Sequence, residues 1–405
     1  MPALSRLIAC IFFPVVLFLF IPGGAACLQS DCDPSDPTCG ALQALLLYSA
    51  PACLLDRSAV IQTSNWTLVQ SELRAQAALG SSGTPTVNFF GSAPGGSAYY
   101  GAAMAANGKI YPIPYNATQF VAIDPDTDTA TTFGTAPGGS AWSGGVLAPN
   151  GKIYGMPANN SSFLVIDPTT NTTKTVAVTI PGATPYYSFG VLAPNGKIYA
   201  IPTSATAFLV IDPEIDTATT FGTAPGGSAW VGGVLAPNGK IYGMPAQATT
   251  YVEIDPTTNT AVTFGTNAVP NAYQGAALAP SGLVFGAAFD ETRQLILDPS
   301  TRSISNVGSV AGTAGSFVGA VTAPSGRIMF IAVNRTIFGY FDSTSLTYAE
   351  FGSSSGTGAY ESGVMARNGK IYAAPFNATQ FVVIDPKSNG RYCDSILTSG
   401  FFNKS

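Results

Sequence analysis

The chain contains no histidine among its 405 residues. This absence excludes the Ser-His-Asp and Cys-His catalytic arrangements and the usual zinc sites, and it removes the commonest general base near neutral pH. Catalysis would need carboxylates or a bound ion. We therefore predict no catalytic residue, no metal and no cofactor.

Charge is also scarce, because only 10% of the residues are charged and the formal net charge is -5. A surface with so few charges must be polar mainly through Ser, Thr, Asn and Gln. Binding to nucleic acid relies on clustered Lys and Arg that this chain lacks, so nucleic acid is excluded as a partner.

Long apolar runs are confined to the N-terminus. Residues 1–26 combine one positive charge at Arg6, an apolar run from Leu7 to Ile21 and small residues up to Ala26, which is the pattern of a secretory signal peptide. We expect cleavage near Ala26 and a secreted or cell-surface protein. A retained signal anchor is the alternative, but about 15 apolar residues fall short of the roughly 20 that cross a bilayer. We predict no transmembrane segment after cleavage.

Of the six cysteines, five remain after cleavage, four of them near the new N-terminus. The disulfide candidates are Cys27, Cys32, Cys39, Cys53 and Cys393. Because five is odd, one thiol stays free or pairs with another molecule, or Cys27 is lipidated as in bacterial lipoproteins. If the source is a eukaryote, N-x-S/T sequons add glycosylation candidates. These are Asn65, Asn116, Asn159, Asn160, Asn171, Asn334, Asn377 and Asn403.

A glycine recurs at a regular interval, and an aspartate follows each copy sixteen residues later. The glycines are Gly108, Gly151, Gly196, Gly239, Gly282, Gly326 and Gly369. The aspartates are Asp124, Asp167, Asp212, Asp255, Asp298, Asp342 and Asp385. Successive copies are 43 to 45 residues apart, which is the period of one four-stranded propeller blade. Seven copies predict an all-β fold, a seven-bladed β-propeller of four-stranded antiparallel blades.

The repeat divides the chain into four regions. Residues 1–26 are the signal peptide, 27–83 a small Cys-rich and partly helical N-terminal cap, 84–386 the propeller and 387–405 a C-terminal tail. Within the cap we predict a helix from about Trp66 to Leu79, with Ser64 or Thr67 as its N-cap. A partly ordered stalk is the alternative for residues 27–83.

Turn chemistry predicts the strands of each blade. Asn150 and Gly151 are expected to supply positive φ values for a two-residue type I′ hairpin between the innermost and second strands. After the third strand, Asp167 can accept a hydrogen bond from its own following backbone. Small residues begin the innermost strands, because seven strands converge on one axis, and Phe189 is the exception.

The two ends of the repeat can close the ring. Thr86 to Phe90 matches an outermost strand but precedes the first innermost strand, so we expect it to complete the last blade beside Phe381 to Ile384. Pairing there would remove the open edges of the ring. Arg391 to Leu397 is the alternative outer strand.

The charged residues of the repeat favour a structural interpretation. Asp124, Asp126 and Asp128 alternate like the start of an EF-hand loop, but Thr129 and Thr135 stand where that loop needs Gly and Glu. A basic residue follows most hairpin glycines, and we expect solvated ion pairs with nearby carboxylates. These basic residues are Lys109, Lys152, Lys197, Lys240, Arg327 and Lys370.

An aromatic residue stands nine positions before every hairpin glycine. The series is Tyr99, Trp142, Tyr187, Trp230, Tyr273, Phe317 and Tyr360. One interpretation is that each ring packs between adjacent blades. The other is that the rings surround the mouth of the central channel and offer flat apolar faces to a ligand such as a sugar.

Single units of the repeat resemble the YVTN family of extracellular propeller repeats, and more distantly NHL and Kelch units. The resemblance rests on Val146 to Lys152 (V-L-A-P-N-G-K) and Phe163 to Asn171 (F-L-V-I-D-P-T-T-N), and it covers residues 86–386. It implies an interaction role like that of surface-layer, adhesion and scaffold proteins. Streptogramin lyases have related blades but depend on a catalytic histidine with a bound metal, and this chain has no histidine.

Three functions follow as hypotheses. The first is a secreted or surface-displayed, non-catalytic protein that binds an extracellular protein or glycan through one face of the propeller. The second is a carboxylate-dependent hydrolase or lyase acting in the channel, with Asp290 and Glu291 as the acids to test. The third is a structural protein of an envelope or extracellular matrix.

Overall fold

The computed structural model describes residues 66–181, 186–310, 315–392, 397 and 402. Within these residues the chain forms one helix, α1 (Trp66–Ala78), and seven antiparallel sheets of four strands each. The predicted seven-bladed β-propeller is confirmed. The predicted signal peptide and the five cysteines that follow it lie outside the described residues.

The strands follow one another in chain order, from the inside of each blade outwards. Blade 1 comprises β2 (Tyr99–Met104), β3 (Ile110–Pro114), β4 (Phe120–Asp124) and β5 (Thr129–Phe133). Blade 2 comprises β6 (Trp142–Leu147), β7 (Ile153–Pro157), β8 (Ser162–Asp167) and β9 (Thr172–Ala177). Blade 3 comprises β10 (Tyr187–Leu192), β11 (Ile198–Pro202), β12 (Phe208–Asp212) and β13 (Thr217–Phe221). Blade 4 comprises β14 (Trp230–Leu235), β15 (Ile241–Pro245), β16 (Tyr251–Asp255) and β17 (Thr260–Phe264).

The remaining blades repeat this plan. Blade 5 comprises β18 (Tyr273–Leu278), β19 (Val284–Ala288), β20 (Gln294–Asp298) and β21 (Ser303–Val307). Blade 6 comprises β22 (Phe317–Thr322), β23 (Arg327–Ala332), β24 (Phe338–Asp342) and β25 (Thr347–Phe351). Blade 7 comprises β26 (Tyr360–Met365), β27 (Ile371–Pro375), β28 (Phe381–Asp385) and β1 (Thr86–Phe90).

The ring closes as predicted, with the N-terminal strand in the last blade. Strand β1 pairs antiparallel with β28 along its whole length, from Thr86 opposite Asp385 to Phe90 opposite Phe381. An isolated bridge between Ser81 and Ser388 extends the contact. Strand β1 occupies the outer edge of β28, the position for which Arg391 to Leu397 was the alternative, and residues 393–396 lie outside the described residues.

The hairpin between the innermost and second strands is not the predicted two-residue turn. Gly151 has a φ of 79°, but Asn150 is not among the residues with positive φ. The N–H of Gly151 donates to the carbonyl of Ala148 at 3.0 Å, and Ala148 also donates to Lys152 at 2.8 Å. Pro149 and Asn150 therefore occupy a type I turn that the glycine completes, a three-residue loop. Proline favours this outcome because its φ is fixed near -65°.

The turn after the third strand has the predicted local chemistry. In every blade, an oxygen of the repeated aspartate accepts a hydrogen bond from the backbone N–H two residues later, as when Asp167 accepts from Thr169 at 2.9 Å. The aspartates therefore shape turns, as the sequence indicated.

The innermost strands approach one another closely near the axis. A Cβ added to Gly232 would lie 2.5 Å from the Cα of Gly275, and one added to Gly275 would lie 2.8 Å from the Cα of Gly319. Such distances leave no room for a side chain, so the small residues predicted here are required. The main cores lie further out, between the faces of adjacent blades.

The propeller has two distinct ends. We call the end with the hairpins between first and second strands the lower face, and the end where the innermost strands begin the upper face. Helix α1 packs on the lower face, where Gln70 Nε2 donates to the carbonyl of Pro280 at 3.2 Å. The helix agrees with the prediction and begins at Trp66, so Thr67 lies inside it and Ser64 lies outside the described residues.

C-terminal residues lie beside the helix on the lower face. The backbone N–H of Arg391 donates to Gln76 Oε1 at 2.9 Å, and the phenol of Tyr392 donates to the carbonyl of Ala323 at 2.8 Å. Leu397 and Phe402 line a small cavity at the lower ends of the innermost strands of blades 5 to 7. The lower end of the channel is therefore covered at these blades.

Candidate functional site

The seven aromatic residues of the repeat are buried, with at most 2% of each residue exposed. They are Tyr99, Trp142, Tyr187, Trp230, Tyr273, Phe317 and Tyr360. Trp142 stacks on Phe120 of the preceding blade with 6.3 Å between ring centroids, and its indole N–H donates to the carbonyl of Ser162 at 3.1 Å. Trp230 stacks on Phe208 in the same way, at 5.9 Å. The rings thus fill the spaces between blades, where their faces are covered.

The lower face is held by polar contacts between neighbouring blades. Asn195 donates through Nδ2 to the carbonyl of Pro256 in the next blade at 2.9 Å, and the phenol of Tyr199 donates to Asn259 Oδ1 at 2.5 Å. Lys197 lies 3.1 Å from Asp212 as a partly exposed ion pair. These contacts recur around the ring and are structural.

Asp290, one of the two acids proposed for catalysis, links two blades. Its Oδ1 accepts a hydrogen bond from the backbone N–H of Gly315 at 2.7 Å. Asn116, Asn334 and Asn377 make the equivalent contact elsewhere on the upper face, accepting from the backbone of the loop that enters the next blade. Glu291 accepts from the N–H of Thr292 at 2.9 Å. Both acids have local partners.

The glycosylation candidates fall into three groups. Asn116, Asn159, Asn160, Asn334 and Asn377 lie in upper-face loops, and Asn171 lies in an exposed turn on the lower face. Asn65 and Asn403 lie outside the described residues. Attachment of glycans is a prediction for all eight.

The second residue of each innermost strand marks a different series, which lies nearer the channel axis. The seven residues are Tyr100, Ser143, Ser188, Val231, Gln274, Val318 and Glu361. Two of the polar members have backbone partners: Ser143 donates through its hydroxyl to the carbonyl of Tyr187, and Ser188 Oγ accepts from the N–H of Gly232 at 3.2 Å. Glu361 is the one acid of the series.

Glu361 is a buried carboxyl group with an unsatisfied oxygen. The residue is 8% exposed, and its Oε2 has no hydrogen-bond partner among the described residues. Burial raises the pKa of Glu361 to about 8, because a charged carboxylate there loses its hydration. The group is therefore mostly protonated at neutral pH.

Glu361 and Tyr100 occupy the same position on the innermost strands of two adjacent blades, and Glu361 influences Tyr100 and Tyr186. Burial, then the neighbouring Tyr186, then Glu361 raise the pKa of the Tyr100 phenol. Burial raises the pKa of Tyr186 above its usual range, and Tyr115 and Glu361 raise it further. Glu361 belongs to blade 7, Tyr100 to blade 1, and Tyr186 immediately precedes blade 3, so groups from separate blades meet at the axis.

Five aromatic rings pack together at the upper end of the channel. We call them the channel-mouth cluster: Tyr100, Tyr115, Tyr186, Phe189 and Phe376. The ring centroid of Tyr100 lies 5.4 Å from that of Phe189, 5.9 Å from those of Tyr115 and Phe376, and 6.4 Å from that of Tyr186. Tyr100 and Phe189 are buried, whereas the other three are half-buried and reach the surface.

Sequence reasoning missed this cluster because its members do not share one position of the repeat. Phe189 was visible as the exception among small residues near the axis. Glu361 was visible as the acid in a column that otherwise holds no charge. Departures from a repeat are thus the signal that could have identified the site. The described residues contain no group of three or more His, Cys, Asp or Glu placed to hold a metal ion.

Comparisons with known proteins identify the fold. No protein-family model matches the chain, and no curated protein matches it in sequence. Among solved structures, a streptogramin B lyase is similar with a TM-score of 0.64 and 13% identity, covering 74% of this chain and 97% of the lyase. A catalytically inactive histidine-to-alanine variant of virginiamycin B lyase from Staphylococcus aureus, with quinupristin, has a TM-score of 0.64 and 12% identity, covering 74% and 99%.

A third similar structure is the extracellular domain of BT4673 from B. thetaiotaomicron, with a TM-score of 0.57 and 10% identity, covering 76% of this chain and 43% of that one. At these identities the likeness establishes the fold, and the chain is a seven-bladed β-propeller. No helix in the described part of the chain is long and apolar enough to span a bilayer.

Proposed function

We propose that this protein is a secreted or surface-displayed propeller that binds an extracellular protein or glycan, without catalysis, through its upper face. The channel-mouth cluster is the centre of the binding surface. The observation that carries the proposal is the contrast between the two ends of the channel, since aromatic rings reach the surface at the upper end while Leu397 and Phe402 cover part of the lower end.

The residue types of the cluster suit such a surface. Tyrosine and phenylalanine provide rigid apolar faces on which sugars and side chains stack, and the tyrosine hydroxyls add hydrogen bonds. The hydroxyl and amide side chains of the surrounding upper-face loops supply further polar contacts. The fold itself supports the proposal only at the level of analogy, because extracellular domains and enzymes both use it.

The test is a binding screen of the purified full chain on a glycan array and against extracellular proteins, followed by a double variant. Tyr115→Ala with Phe376→Ala should weaken binding by about tenfold or more, because it removes two aromatic anchors. Phe89→Ala is the matched control, since Phe89 is an exposed ring on β1 at the outer edge of blade 7. Equal affinity of the double variant and the control, with both folded, contradicts the proposal.

A further inference from the structure

We infer that the channel beneath the aromatic cluster is a site for a methylated ammonium group, held between the Glu361 carboxylate and the rings of Tyr100, Tyr115, Tyr186, Phe189 and Phe376. This inference rests on the proposed function, because the ammonium group belongs to the ligand that the upper face binds. It adds the chemical class that the site recognises.

The charge of the site favours a cationic ligand. Glu361 is a buried acid whose Oε2 has no hydrogen-bond partner among the described residues, and burial is the cause of its altered pKa. Ionisation of a buried acid costs free energy when no compensating cation is present. A ligand that carries one positive charge would supply that compensation, whereas an anionic ligand would be repelled.

The surroundings of Glu361 favour an organic cation over a metal ion. A metal ion would need several oxygen ligands, and among the described residues the site offers one carboxyl group and neutral phenols. Four aromatic rings surround that of Tyr100, at centroid distances of 5.4 to 6.4 Å. Ring faces attract organic cations, and weakly hydrated quaternary ammonium groups gain the most from such surroundings.

A ligand would reach the site from the upper face. Glu361 is 8% exposed in this structure, so the ligand enters by displacing side chains at the surface. Tyr115 and Phe376 lie in loops between the second and third strands, and both are half-buried. Because both side chains belong to loops, their rotation would not require a strand to move.

Protonation gives the site a pH dependence of known sign. The ammonium group binds the ionised form of Glu361, so affinity rises by about tenfold per pH unit below pH 8 and levels off above it. The titratable groups facing Glu361 are the phenols of Tyr100 and Tyr186, and burial raises the pKa of both, so they stay neutral over this range. Val318 and Gln274, from the inner strands of blades 6 and 5, carry no charge.

The experiment compares choline with 3,3-dimethyl-1-butanol, which has the same shape but no charge, by calorimetric titration of the purified full chain at pH 6, 7 and 8. We expect choline to bind at least tenfold more tightly than the alcohol at pH 8, and to weaken at pH 6. Glu361→Gln should abolish the preference for choline over the alcohol and the pH dependence of that preference. Glu214 is an exposed acid on the lower face, so Glu214→Gln should leave both unchanged. A peptide containing trimethyllysine, tested in parallel, should show the same dependence on Glu361.

Equal affinity for choline and the alcohol, or a preference that survives Glu361→Gln, overturns the inference. So does a folded protein that binds neither choline nor the peptide. If the glycan and protein screen still finds a ligand that depends on Tyr115 and Phe376, the proposed function stands without the ammonium site. The comparison of choline with the alcohol uses the unaltered chain, so it decides the question even if the Gln variant fails to fold.

Discussion

Glu253 and Glu361 are both buried glutamates on strands of the propeller, and their surroundings are opposite. Glu253, on β16, accepts hydrogen bonds from Arg302 at 2.7 and 2.8 Å, from Lys240 at 2.6 Å and from Tyr242 at 3.0 Å. Burial opposes ionisation there, but the bonds from Arg302 and Lys240 outweigh it and lower the pKa of Glu253 to about 2. Glu361 has no such partners for Oε2, and burial raises its pKa to about 8.

The difference separates a structural acid from a candidate binding acid. At Glu253, Lys240 of the same blade and Arg302 of the next blade supply the counter-charges, so the carboxylate contributes to packing at the lower face. At Glu361 burial destabilises the ionised carboxyl group, and no described contact of Oε2 offsets this effect. Acids whose pKa is shifted in this way concentrate at functional sites.

The largest expected effect is the pH dependence of stability at Glu361. The folded state keeps the Glu361 proton up to about pH 8, whereas the unfolded chain releases it near pH 4.5, so this residue lowers the free energy of unfolding as pH rises between those values. Glu361→Gln removes the effect. The variant should match the wild type near pH 4 and exceed it by roughly 5 kcal/mol above pH 8.

Urea unfolding of both proteins at pH 4, 6 and 8.5 measures this difference, and other carboxylates cancel because both chains share them. Glu214→Gln serves as the control and should show a constant offset. A difference between Glu361→Gln and wild type that does not change with pH would show that Glu361 ionises normally.

The next effect comes from making Glu253 resemble Glu361. Lys240→Ala with Arg302→Ala leaves the Glu253 carboxylate, which is 3% exposed, without a cationic partner. We expect a loss of about 2 kcal/mol in unfolding free energy at pH 7, less than for a fully buried pair because both cations are partly exposed and screened by solvent. The measurement is again urea unfolding.

The control for this pair is Lys109→Ala with Arg293→Ala, which removes one lysine and one arginine elsewhere on the surface. The wild type should also lose stability as pH falls from about 4.5 to 2, because the depressed pKa of Glu253 stabilises the fold only while the group is ionised. If the double variant is as stable as its control, the cluster around Glu253 contributes no net stability.

The smallest effect concerns Asp290, the acid that the sequence suggested for catalysis. Asp290→Ala removes the acceptor of the 2.7 Å bond from Gly315 and should cost about 1 kcal/mol. Asp290→Asn keeps the acceptor oxygen and should behave like the wild type in thermal unfolding. Equal destabilisation by both changes would mean that the charge, rather than the link between blades, is what matters.

The architecture could be predicted from the sequence because each blade repeats the same local chemistry. The seven aspartate turns and the pairing of β1 with β28 follow from spacing alone. The predicted type I′ hairpin was wrong, because Pro149 and Asn150 adopt a type I turn and leave only Gly151 with a positive φ.

The candidate site could not be predicted in the same way. The conspicuous series around Trp142 and Trp230 is buried between blades, because an aromatic ring with a polar tip can satisfy its N–H on a backbone carbonyl. The channel-mouth cluster joins residues from different repeat positions, such as Tyr115 and Phe189, which only ring closure brings together. Side-chain contacts across the axis are not encoded in any single blade.

The pairing of β1 with β28 also sets a sequence of events during synthesis. Strand β1 leaves the ribosome before any blade exists, and its partner is among the last elements to emerge. Long-range pairings of this kind form late, and unpaired strand edges invite association with other chains. A chain of this design must therefore complete six blades while its first strand is still unpaired, and the ring closes only when β28 is available.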